Sequence, residues 1–282
     1  MGGVTELTPR LARAAWGALE VLHVVAFFAP EVQESYDAMG VRGARAGYFA
    51  ARASALGPVG PAPVVATFYV FAPALVERVV PRVWEAAEPQ AWAAARATGV
   101  GTALHRVLGD PDVTEALELA RTAVGGLTVA GRPLHAAWRG APEPADPLVQ
   151  LWHAALLVRE HRGDGHVGAL MAAGLDPVEA LVTGGLASGS TEFVRTTRGW
   201  TDEEWAGGVD RLRARGLVDD DGLTPVGTAL RAEVEARTDA LATEGWAHLG
   251  EAGTRRLVEL VRPLREQVLD SGLLPGWIRT RG

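Results

Sequence analysis

Apolar positions recur every three or four residues along most of this chain, a period that predicts a mainly helical protein. Trp16, Leu19, His23 and Phe27 fall on one face of a helix over 9–28. Thr8 is placed to cap that helix, Pro9 suits its first turn, and Pro30 should end it. The same period predicts helices over 32–39, 43–56, 63–71, 73–86, 89–108 and 111–124. Proline and glycine then crowd the stretch 125–147, which closes on Ala141-Pro-Glu-Pro-Ala-Asp-Pro147 and reads as a linker. It separates an expected helical domain over 1–140 from a second domain over 147–282.

The second half opens with predicted helices over 147–162 and 166–182. Gly184-Gly185 and Ser188-Gly-Ser190 suggest a loop. Thr201-Asp-Glu-Glu204 has the form of a capping box, in which the hydroxyl and the third-position acid satisfy open backbone N–H groups. The helix it starts should end near Gly216. Residues 217–224 then read as a strand, an acidic turn and a second strand. Thr224-Pro225 opens a helix to about Leu241, and 252–270 adds a last one.

Polar residues concentrate where the apolar pattern predicts burial. Glu160-His-Arg-Gly-Asp-Gly-His166 holds two acids, two histidines and an arginine between apolar helical flanks. Such groups are costly beside a core unless they pair with each other or with a ligand. If Gly163 and Gly165 break the helix, Glu160, His161, Asp164 and His166 can converge with His153. That set suits general acid/base chemistry, with an acid orienting each histidine. The alternative is a structural ion network. A divalent metal is a narrower version, with no tight ligand signature to favour it. Further candidate binding residues are Glu20 and His23, which share a helix face, Arg45, Tyr48 and Arg52 with Arg42 on the third helix, and Trp152 with His153. Arginine forks suit a carboxylate or phosphate.

The chain has no cysteine and carries a formal charge of −7. Disulfides and thiolate metal sites are excluded. All 27 basic residues are arginines, and a cytoplasmic protein with no membrane partner is expected. P-loop, Gly-x-Gly-x-x-Gly and Gly-x-Ser-x-Gly motifs are absent, so nucleotide-binding and serine-hydrolase mechanisms lack their usual carriers.

Asp210-Arg-Leu-Arg-Ala-Arg-Gly-Leu-Val218 followed by Leu223-Thr-Pro-Val-Gly-Thr-Ala-Leu230 resembles the recognition helix, wing and following helix of MarR-type winged-helix regulators. A wider pattern resembles the actinobacterial SalK-like family, which is largely uncharacterised. It comprises Leu22-His23, Phe28-Ala-Pro-Glu31, Gly47-Tyr-Phe-Ala-Ala-Arg52, Leu56-Gly-Pro-Val-Gly60, Trp152–Leu170 and Gly199-Trp-Thr-Asp-Glu-Glu-Trp205. Both imply a helical fold with a winged-helix part. Residues 201–222 carry seven acids against three arginines, a net of −4, which opposes phosphate contact and disfavours DNA as a partner. The leading expectation is therefore a small-molecule enzyme with His161, His166, Glu160 and Asp164 as catalytic groups. Glu20, His23, Arg45, Tyr48, Arg52, Trp152 and His153 would bind its substrate, expected to be a small anionic molecule. A ligand-responsive winged-helix regulator and a non-catalytic small-molecule binder are the alternatives, and a homodimer is compatible with each.

Overall fold

The computed structural model describes residues 8–41, 44–276 and 278. Among them lie fourteen α-helices and one two-stranded antiparallel sheet, so the mainly α expectation holds. Nine of the fourteen helices open on a proline, whose fixed φ suits a first turn and whose missing N–H would have no partner there.

Thr8 caps α1 (Pro9–Phe28) by accepting from the backbone N–H of Leu11. Pro30 ends that helix and also starts the next, α2 (Pro30–Asp37). Then follow α3 (Ala44–Ala53), α4 (Pro61–Phe68), α5 (Pro73–Ala86), α6 (Pro89–Leu108) and α7 (Thr114–Gly125). Arg42 lies outside the described residues. The stretch expected as linker contains a further helix, α8 (Pro133–Arg139), which buries Leu134, His135 and Trp138.

α9 (Pro147–Ala172) runs unbroken through Gly163 and Gly165, which corrects the expected break. Close approach explains the second glycine. A Cβ on Gly165 would lie 2.0 Å from a guanidinium nitrogen of Arg132. That guanidinium donates to the carbonyls of His161 and Leu241, at 2.8 and 2.7 Å, and so ties α9 to the chain beyond it. Without a side chain at Gly165, the arginine can pass this close to the helix.

Beyond α9 come α10 (Pro177–Ser188), α11 (Thr191–Thr197) and α12 (Asp202–Ala214). The expected glycine- and serine-rich loop is mostly helix: Gly184, Gly185 and Ser188 lie within α10, and only Gly189 and Ser190 separate it from α11. The Thr201–Glu204 capping box forms as expected, and a second one, Asp176–Glu179, starts α10. β1 (Val218–Asp219) and β2 (Gly222–Leu223) pair Val218 with Leu223 around the acidic turn. α13 (Pro225–Ala240) and α14 (Glu244–Asp270) complete the chain, the latter bent at Gly250 and starting before the predicted boundary.

Two apolar clusters hold these elements. The larger joins α1 to α9 with α14, and its centre is the run Leu151, Trp152, Ala155 and Leu156 packed towards α1, α6, α7 and α8. The smaller gathers Ala169, Leu170, Val178, Leu181, Trp205, Leu212 and Val234. α9 contributes to both, and Val70 and Trp200 pack against both. Of the described helices, α1 alone is long and apolar enough to cross a membrane; here it packs against α14 and α9, with more than half of it buried.

The turn between α11 and α12 is fixed by Gly199, at φ 81°, where a Cβ would come within 2.8 Å of the Leu75 side chain. Both the backbone angle and the contact penalise any side chain. Gly199→Ala is expected to lower stability by about 1–3 kcal/mol, read from urea unfolding.

Candidate functional site

The polar cluster on α9 does not converge. Successive residues on a helix turn by about 100°, so Glu160, His161, Asp164 and His166 face different neighbours. The Asp164 carboxylate accepts from the backbone N–H groups of Leu134 and His135 at 3.1 and 3.0 Å, capping the start of α8. Burial raises this carboxyl to about 6, with the Glu160 charge adding to the shift. His161 sits edge-on to His135 and 2.5 Å from Glu244. Burial, with Arg132 and His135 nearby, lowers its ring to about 3 and keeps it neutral. His166 turns to α13, where its Nδ1 meets the Thr238 hydroxyl at 2.9 Å, and burial first lowers it to about 4.

Glu160 points to another side and is fully buried. Arg52 on α3 grips it bidentately at 3.0 and 2.9 Å, and Arg159 donates to it at 2.7 Å. Burial would raise this carboxyl, but Arg159 and Arg52 outweigh burial and hold it well below the ordinary range. The same arginine, Arg52, donates to the Tyr48 hydroxyl at 3.1 Å and stacks 4.3 Å over the Phe68 ring. Burial opposes ionisation of Tyr48, yet Arg52, Arg198 and Arg159 together lower its phenol.

Around this ion cluster stands a wall of rings. Tyr48 packs against Phe27, Phe49, Phe68 and Phe71 with centroids 5.5–6.1 Å apart. Arg198 lies 4.8 Å over Phe71, and the fully buried Arg96 lies 5.2 Å over Trp152 and 5.6 Å over Phe27. His23 is buried with Nε2 3.4 Å from Arg96 and Nδ1 3.4 Å from Glu20. Burial lowers that histidine despite Glu20. Trp152 donates weakly to the His23 carbonyl at 3.4 Å. The fold thus gathers Glu20, His23, Tyr48, Arg52, Trp152 and Glu160. It leaves His153 edge-on to Trp138 and Arg45 at the carbonyl of Thr196, 2.6 Å away. Arg96 and Arg198 were not expected here. Their only signal in the sequence was aromatic neighbours, Trp92 near Arg96 on α6 and Trp200 near Arg198 in the turn after α11. Among the described residues, no group of three or more histidines and acids is placed to hold a metal ion.

The second feature is the unit α10–α11–α12 with its wing. α11 and α12 are joined by the turn Arg198–Thr201, and both pack on α10 or its neighbours. Asp202, Glu203, Ala206, Asp210 and Arg213 are exposed on α12. Many of the charges here are paired. Arg213 meets Asp220 of the wing at 2.9 Å, Arg195 meets Asp202 at 2.7 Å, and Arg211 meets Asp176 at 2.5 Å. Arg215 meets the buried Glu179 at 3.0 Å, while Glu204 folds back into its capping box.

The model of a helix-turn-helix family matches residues 12–275, nearly the whole chain. Neither a curated protein nor a solved structure matches. The family match overturns two expectations. It points away from an acid/base enzyme and towards a DNA partner, which the count of acids had disfavoured. In physical terms, the proposed catalytic groups face apart: Asp164 caps α8, Glu160 pairs with arginines, His161 meets Glu244 and His166 meets a hydroxyl. The acid count bears on phosphate contact alone and leaves contacts to base edges open.

Two outcomes test this view of the cluster. Glu160→Gln should leave Arg52 buried without its counter-charge and destabilise the protein by about 3–5 kcal/mol in urea unfolding. Acid should also weaken the fold. The rings of His161 and His166 have folded values of about 3 and about 4, below the ordinary 6.5, so the unfolded chain binds protons first as pH falls. Their contribution is complete above 6.5 and is lost on descent through the folded values, with Glu160 adding loss below 4.5. Asp164 acts oppositely and is outnumbered. The urea midpoint is therefore expected to be lower at pH 5 than at pH 7.5; an unchanged or higher midpoint at pH 5 contradicts the assignment.

Proposed function

This chain belongs to a helix-turn-helix family, and from that premise we propose that it is a ligand-responsive, DNA-binding transcriptional regulator. The observation that carries the reading is the family match over 12–275 together with a two-helix unit, α11 and α12, followed by a two-stranded wing. The order α10, α11, α12, β1, β2 follows the winged-helix layout, in which the second helix of the unit enters the major groove. The segments 210–218 and 223–230 resemble MarR-type regulators, and the wider pattern resembles the SalK-like family. The first resemblance favours the same reading; the second implies the fold alone.

An acidic recognition helix sets the kind of binding expected. Phosphate contacts are few, so affinity rests on base edges more than on counterion release. Exposed carboxylates are suited to accept from the N4 amino group of cytosine, and Glu203 and Asp210 stand on the outer side of α12. Arg213 and Arg195 are half-exposed and held by exposed acids, Asp220 and Asp202, that a phosphate can replace.

The test is selection of bound duplexes from a random-sequence pool by the whole protein, followed by fluorescence anisotropy against salt. Binding should be sequence-selective, with a log–log salt slope no steeper than about −4. Arg213→Ala should weaken it about tenfold and Asp220→Asn should tighten it several-fold, because removing the wing acid frees the arginine. Failure to enrich any sequence at low salt would overturn the reading.

A further inference from the structure

Among the described residues, Tyr69 is the one non-glycine residue at positive φ, with φ 57° and ψ −61°. Across it the Val70 N–H donates to the Phe68 carbonyl at 2.6 Å, which closes a γ-turn between α4 and α5. This form of the γ-turn is rare and strained, and a bulky side chain at positive φ adds to the cost. Glycine would adopt the same angles freely. Strain of this kind persists only where surrounding contacts over-determine the backbone, and it collects at functional elements.

The contacts around this turn reach the helix–turn–helix unit at two places. The Tyr69 hydroxyl donates to the Leu175 carbonyl at 2.5 Å, in the bend between α9 and α10. The next residue, Asp176, caps α10 and holds Arg211 of α12. Burial first, then the charges of Asp176 and Glu179, raise the phenol, so the donor keeps its proton. The second place is the turn between α11 and α12. Ala72 N–H donates to the Arg198 carbonyl at 2.9 Å, and the Trp200 indole donates to the Val70 carbonyl at 3.0 Å. Arg198 lies over Phe71, and Gly199 packs on Leu75. On the other side the segment is fixed to the aromatic wall. Arg52 stacks over Phe68, and Phe71 packs against Tyr48 and Phe49. Residues 69–72 are thus a strap from the Glu160 ion cluster to the start of α10 and to the α11–α12 turn.

We propose that Tyr69 is the positioning residue of the DNA-reading unit: its hydroxyl latches the strained strap to the start of α10 and so fixes how α12 is presented. A glycine at this position would spare the strain but could not reach Leu175. With the latch closed, the unit is already ordered and DNA binding need not order it. With the latch open, the γ-turn can relax and the unit can rock on its contacts at 198–200. The phenol makes its bond within the protein, so its loss lowers affinity without removing a phosphate contact. The consequence for DNA rests on the regulator reading; the latch itself does not.

Tyr69→Phe, which keeps the ring and removes the donor, tests both parts. Thermal melting first checks that the variant is folded. Hydrogen exchange on the whole protein without DNA, read by NMR, should then be about tenfold faster or more at the Val70 and Ala72 amides and the Trp200 indole. It should be unchanged at the amides of Leu151 and Leu156, which are buried in α9. Anisotropy with an enriched duplex should show affinity about fivefold weaker at an unchanged log–log salt slope, whereas loss of a phosphate contact would reduce the slope by about one. The assignment is overturned if exchange at the strap is unchanged, or if it rises equally in α9. It is overturned as well if the variant binds the enriched duplex as tightly as the parent protein does, or with a shallower slope. Faster exchange confined to the strap, in a protein that enriches no DNA sequence, would sink the regulator reading and leave the latch standing. Sequence-selective DNA binding with unchanged exchange would do the reverse.

Discussion

A buried carboxylate can persist in a helical core only if cations reach it from elements that packing already brings close. Glu160 meets that condition through Arg52 on α3 and its own neighbour Arg159. The pair fixes α3 against α9, places Phe68 and Phe71 behind Tyr48, and so sets the surface on which the helix–turn–helix turn rests. Removing either partner leaves the other as an uncompensated buried charge. Replacing an ion pair with apolar residues often does no harm to stability, so its retention here is more naturally read as specifying one arrangement of α3, α9 and the aromatic wall.

That arrangement matters because the helix–turn–helix unit has little independent hold. Its apolar cluster is the smaller one, and its turn is anchored by Gly199, Trp200 and Arg198 to the segment between α4 and α5. A small displacement of that segment is felt where α11 meets α12. Packed interiors pass such shifts on instead of absorbing them. The acids on α12 and the wing fit the same picture. They form ion pairs with Arg195 and Arg213, and in the proposed complex these would limit phosphate contact and leave recognition to base edges.

Much of the fold could be read in the sequence because its determinants are local. Helix starts at proline, the Thr8 and Thr201 caps, the wing turn and the 3.6-residue period all lie within a few neighbouring positions. The continuity of α9 was not readable. Gly163 and Gly165 look like breakers until Arg132, some thirty residues away, is found lying against the second. α11 was missed because a seven-residue helix beside a glycine–serine loop has too few turns to show a period. For the site, the association of Glu20 with His23 was visible at helical spacing, and Arg52 and Tyr48 were visible as one face. Their link to Glu160 was not, being a contact across 108 positions. The acidic count around α12 misled for a different reason: it weighs against phosphate contacts and says nothing of base edges, and Asp176 and Glu179, which hold Arg211 and Arg215, only add to it.

The central claim is that α12 is the surface that meets DNA. A photocrosslinker placed at Ala206, exposed on that helix, tests it most directly, with one at Glu259 on α14 as the control. With a duplex enriched from a random pool, crosslinks should form from position 206 to bases of the selected sequence and fail to form from position 259. Equal yields from both positions, or crosslinks from 259 alone, would contradict the account.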